Sequence, residues 1–83
     1  MDWQVERRER IVINYDEIVI SNINRHIKQS GLLKRAVAER VGISGADLSN
    51  ILHGRRLIRI SMLFKIAEAL GVQPEDFLKY PEK

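Results

Sequence analysis

Apolar residues recur at helical spacing in three separated stretches of this chain, and the most sharply patterned lies at its centre. Val37, Ala38 and Val41 fall at i, i+1 and i+4, one inward face of a short helix. Gly42 stops that helix, because glycine enters the left-handed region without a Cβ penalty. Ile43 plugs the corner and Ser44 offers a hydroxyl to cap a second helix. Leu48, Ile51 and Leu52, at i, i+3 and i+4, turn that second helix back onto the first. Ala38 is small where a bulky side chain would drive apart two helices crossing at roughly 90–120°. Residues 34–53 therefore predict two short helices meeting at a tight turn.

The flanking stretches read as support. A first helix opens at Tyr15 or Asp16 and runs to about Ser30, with Ile20, Ile23 and Ile27 as its buried stripe. Asp16 and Glu17 suit its positive end, Gly31 ends it, and Leu32 anchors the crossing into the next helix. Downstream, Leu63, Ile66, Ala67 and Leu70 form the clearest amphipathic stripe, with Ser61 as candidate cap and Gly71 as stop. Pro74 suits the first position of a short fifth helix, Glu75 and Asp76 complement its dipole, Phe77 and Leu78 close the core, and Pro81 ends it. The expected fold is all-α, with five compact helices over residues 16–83.

Residues 1–15 break the pattern. Val5, Ile11, Val12, Ile13 and Tyr15, interleaved with Arg7, Arg8 and Arg10, give either an extended arm with a short strand at about 10–14 or a frayed helix opened by Asp2. We favour the arm, because Ile11 to Ile13 are β-branched throughout. Trp3 is either a cap on the domain's own core or an anchor in a partner.

Composition narrows the function. At 83 residues the chain is one domain, enough for a modest helical core but too small for a second sensing domain of ordinary size. There is no cysteine, hence no disulfide framework or thiolate metal site, which fits a reducing compartment. No membrane-length apolar run or leader is apparent, and the expected location is cytoplasmic. No Gly-rich phosphate loop, nucleophile elbow or histidine pair at metal-binding spacing is present, so neither an enzyme nor a cofactor is expected. His26, flanked by core positions, reads as a half-buried structural histidine.

The net charge of +3 is less informative than its distribution. Residues 1–17 carry three Arg against five acids, residues 18–62 eight Lys or Arg against two acids, and residues 63–83 three Lys against four acids. A basic centre between acidic ends, coincident with the crossed helices, is the footprint of phosphate binding.

The small residue at Ala38, the glycine at Gly42 and the apolar set Val37, Val41, Ile43, Leu48 and Ile51 resemble the helix-turn-helix of phage-repressor DNA-binding domains, the Cro and lambda-repressor class. The likeness covers roughly residues 18–78. It departs where the family usually has Ser or Thr followed by Gln and this chain has Leu33 and Lys34, a weaker cap and a point charge in place of an amide.

The resemblance implies sequence-specific binding of double-stranded DNA by a transcriptional regulator, a homodimeric repressor of phage-related type, with helix 44–53 in the major groove. Positions matching Gly45, Ala46, Ser49 and Asn50 would face base edges, and Asn50 would be the main polar reader, matched to adenine. Asp47 would cap the helix start or accept from cytosine N4. Lys34, Arg35, Ser44, His53, Arg55 and Arg56 would lie at phosphates. Leu57, Ile58 and Phe64, apolar but outside the core stripes, are expected in a dimer contact. The alternative is an antitoxin-type interaction module whose N-terminal arm, Trp3, Val5 and Ile11 to Ile13, grips a protein partner, with DNA binding serving autoregulation.

Overall fold

The computed structural model describes residues 15–80. The expected N-terminal arm with Trp3, the strand expected at about 10–14, and Pro81 lie outside the described residues. Four α-helices follow in order: α1 Tyr15–Ser30, α2 Lys34–Val41, α3 Gly45–Leu52 and α4 Ile60–Leu70, then a 3-10 turn, Pro74–Phe77. Tyr15, grouped with the arm above, is the first residue of α1.

The central pair forms as its spacing dictates. Gly42 sits at φ 92°, and its N–H and that of Ile43 both return to the Ala38 carbonyl, closing α2 in one step. Ser44 caps α3, its hydroxyl accepting the Asp47 N–H at 3.0 Å. The α2 cap position, Leu33, supplies no side-chain bond, so the first N–H groups of that helix are left to other acceptors.

Helix α2 packs against both α3 and α4, while α1 lies across α3, α4 and the 3-10 turn. Val37, Ala38, Val41, Leu48, Ile51, Leu52, Leu63, Ile66 and Ala67 are buried, joined by Ile23, Ile27 and Phe77. Arg40 fastens the periphery by donating from Nη1 to the Ala69 carbonyl at 3.1 Å, near the end of α4.

Several expectations are corrected. The fifth helix is a single 3-10 turn, with Asp76 N–H to Gln73 O and Leu78 N–H to Glu75 O at i to i+3 spacing. The carbonyls of Phe77 and Lys79 instead accept from Nδ2 of Asn22, both at 2.7 Å, so the chain turns toward α1 rather than winding on. Asn22, fully buried, shares the α1 stripe with Ile23 and Ile27, whereas Ile20 is only half-buried. Leu78 points outward and Phe77 alone closes the core, its ring edge-on to half-buried His26 at 5.4 Å. Helix α4 begins at Ile60 with Arg59 at its cap position, two residues ahead of Ser61, which does not cap it.

At the rim of this C-terminal segment, the Tyr80 hydroxyl shares a hydrogen bond with Tyr15, which raises its pKa and ties residue 80 to the start of α1. Asp76 accepts the Gln73 N–H at 3.1 Å and pairs with Lys79 at 3.3 Å. The backbone bond, and less strongly the lysine, hold its carboxyl below the usual carboxylate range.

Candidate nucleic-acid interface

Helix α3 is buried along Leu48, Ile51 and Leu52 and turns its other side outward. Gly45, Ala46 and His53 are exposed, and Asp47, Ser49 and Asn50 are half-buried at its flanks. The predicted base-reading set therefore lies on the outer side of one helix, whose start is fixed by the Ser44 cap. His53 packs back along the helix: its Nδ1 donates to the Ser49 carbonyl at 2.8 Å and lies 3.3 Å from the Ser49 hydroxyl.

The loop after α3 is folded onto that helix. Gly54 occupies φ 76°, a conformation that lets the Arg55 N–H reach the Asn50 carbonyl at 2.8 Å. This reversal delivers two guanidinium groups to α3. Arg55 Nη1 lies 3.4 Å from Asn50 Oδ1, and Arg56 Nη1 lies 3.0 Å from Asp47 Oδ1. Arg56, expected at a phosphate, is thus engaged with Asp47, and the charge of Asp47 is balanced where it would otherwise repel a polyanion. Periodicity carries no signal for that pair, because a loop without repeat separates its members.

Lys34 and Arg35 form the exposed first turn of α2, which carries no acidic residue. Two cations there add to the positive end of the helix dipole, an arrangement that attracts anions and costs the isolated domain some stability. Among the described residues no three His, Cys, Asp or Glu side chains gather to hold a metal ion. No described helix is long and apolar enough to cross a membrane.

The apolar residues outside the core separate into two kinds. Leu57 is 80 % exposed and Phe64 56 %, as an intermolecular contact requires. Ile58 is half-buried and packs against the core, and Ile60, unremarked in the sequence, is 73 % exposed instead. Ile60 and Phe64 stand at i and i+4 on α4, so they share a face.

A capped outer helix crossed by a second, with basic groups at the start of one and just past the end of the other, defines a helix-turn-helix domain of the DNA-binding class. Comparison with known proteins agrees: the helix-turn-helix family profile matches residues 23–77. The chain is 38 % identical over 63 residues to YozG of Bacillus subtilis (strain 168), described as an uncharacterized HTH-type transcriptional regulator, with 75 % of each chain covered. The crystal structure of a hypothetical transcription factor, NHTF, from Neisseria has the same fold, with a TM-score of 0.77 at 24 % identity over 82 % of this chain and 78 % of that one. This chain belongs to the helix-turn-helix family of Cro and lambda-repressor-like transcriptional regulators.

Proposed function

We propose that this regulator is a homodimeric repressor that seats α3 in the major groove of a two-half-site operator. One observation carries the reading: α3 is buried on one side only and offers Gly45, Ala46, Ser49 and Asn50 outward, between the α2 cations and the Gly54 loop. Glycine and alanine allow close approach to base edges, and Ala46 contacts nothing more specific than a thymine methyl. Asn50 is the polar reader, its amide matching adenine N6 and N7 while Arg55 steadies its oxygen. Lys34, Arg35, Ser44, His53 and Arg55 supply phosphate contacts, with the uncapped N–H groups of α2 beside the first two.

One α3 reads too few base pairs to select a site, so two subunits on half-sites about 34 Å apart are needed. The exposed Leu57, Ile60 and Phe64 support a contact between them, with Ile58 bracing the loop beneath. Occupying an operator excludes other proteins from it, so repression needs no further machinery.

The test is selection of duplexes from a random library, followed by titration at several salt concentrations. With about 6–8 phosphate charges neutralised by two subunits, log K falls against log salt with a slope of about −5 to −7. Asn50→Ala costs roughly 1–3 kcal/mol on the selected site and flattens one position per half-site. Salt-insensitive binding, or an unchanged motif after Asn50→Ala, overturns the respective assignment.

A further inference from the structure

Resting on the reading that α3 enters the major groove, we infer that Arg56 is a specificity-positioning residue. It holds the Asp47 carboxylate as the acceptor for a cytosine N4 amino group, and it is not one more phosphate contact. Asp47 sits in the first turn of α3, its backbone N–H fixed on the Ser44 hydroxyl and its carboxylate on Arg56, at 3.0 Å in both cases. It lies three residues before Asn50, so the two side chains share a flank of the recognition helix.

A lone carboxylate on that flank would be carried in among phosphates of like charge. The Arg56 guanidinium removes that penalty, because the pair enters the groove with no net charge. The arginine is nine residues away in sequence and reaches Asp47 only because the left-handed Gly54 and the Arg55 N–H bond to Asn50 O reverse the chain. Folding does not account for the arrangement: both side chains are about half exposed, and ion pairs so placed contribute little to stability.

The pairing also leaves a definite function for the carboxylate. Arg56 bonds Oδ1, and Oδ2 remains for a donor on a base edge. Two bases offer such a donor in the major groove. Adenine places its N6 amino group beside the acceptor N7, which repels a carboxylate oxygen, whereas cytosine N4 has no acceptor at its side on the same base. Asp47 therefore selects cytosine, and Arg56 fixes where that cytosine lies relative to the adenine read by Asn50.

The experiment is duplex selection and competition binding with the full chain and the variants Asp47→Ala, Arg56→Gln and Arg56→Lys, each checked for an unchanged thermal melt. The wild-type chain is expected to prefer cytosine at one position per half-site by about tenfold, and Asp47→Ala to abolish that preference. Arg56→Gln should reduce it to under about threefold while other positions keep theirs, and Arg56→Lys should restore part of it. The inference is overturned if Arg56→Gln weakens binding but leaves the cytosine preference intact, as loss of a simple phosphate contact would. It is also overturned if Asp47→Ala leaves the motif intact. Failure of the wild-type chain to bind any duplex would defeat the DNA-binding reading itself, and is distinguishable because no motif is then recovered.

Discussion

Replacing Asn22 by alanine should be among the most damaging single changes in this domain, although Asn22 is fully buried and is not among the proposed DNA contacts. Its Nδ2 donates 2.7 Å hydrogen bonds to the carbonyls of Phe77 and Lys79, fastening the C-terminal turn to α1. Each such bond is worth about 1 kcal/mol net, and a buried carbonyl stripped of its donor costs about 1–3 kcal/mol. The Phe77 end of the pair is buried, and the Lys79 end is partly open to water and can be resatisfied there. The Asn22 Oδ1 atom is buried without a hydrogen-bond partner, so removing it returns part of that loss. The expected cost is about 2–4 kcal/mol, against a total of about 4–12 kcal/mol for a domain of this size. Urea denaturation followed by circular dichroism should show a lower midpoint at unchanged slope, and the melting temperature should fall by at least about 10 °C. Asn22→Asp adds a pH signature. A buried acid facing two carbonyls has its folded-state pKa raised, so this variant is most stable below the unfolded carboxylate pKa and weakens as pH rises toward the folded value. A loss below about 0.5 kcal/mol for Asn22→Ala would refute the view that this side chain holds the C-terminal turn.

Four further outcomes follow from the same structure. Gly42→Ala meets no atom within 4 Å of the added Cβ, so its cost is the left-handed backbone alone, about 1–2 kcal/mol, readable as a shift in denaturation midpoint. Asp76 has a depressed folded-state pKa, so its contribution is present above the unfolded carboxylate pKa and disappears as pH falls through the folded value; melts of the wild type and Asp76→Asn should differ at neutral pH and converge in acid. If the proposed homodimer forms through the Ile60 and Phe64 face of α4, Phe64→Asp should abolish self-association in sedimentation while the monomer melts nearly as before. Ile58→Asp, which places a charge against the core, should instead lower stability by about 1–3 kcal/mol.

The central crossing was legible in the linear chain because its determinants are local. Helical spacing fixes which of Val37, Ala38, Val41, Leu48, Ile51 and Leu52 share a face, Gly42 must follow where the helix ends, and Ser44 caps its own neighbour. The outward side of α3 follows from the same periodicity, so the residues on that side are named without coordinates, as is the half-buried position of His26.

Tertiary structure decided whatever depends on residues without a repeat between them. Asn22 is polar, and nothing in its neighbourhood of the sequence tells that carbonyls 55 and 57 residues away will be its acceptors. The same interaction fastens the chain just after the 3-10 turn Pro74–Phe77 to α1, where Leu78 faces solvent while Phe77 is enclosed. Ile58 turns onto the core and Ile60 outward because their orientation depends on the path of the chain after Gly54, which has no period to read. The pairing of Arg56 with Asp47 has the same origin: a reversal of the backbone at one left-handed glycine brings opposite charges together across nine residues. Periodicity identifies the faces of helices, whereas the partners of buried polar groups and loop side chains are chosen only when the helices pack and the backbone between them takes one course.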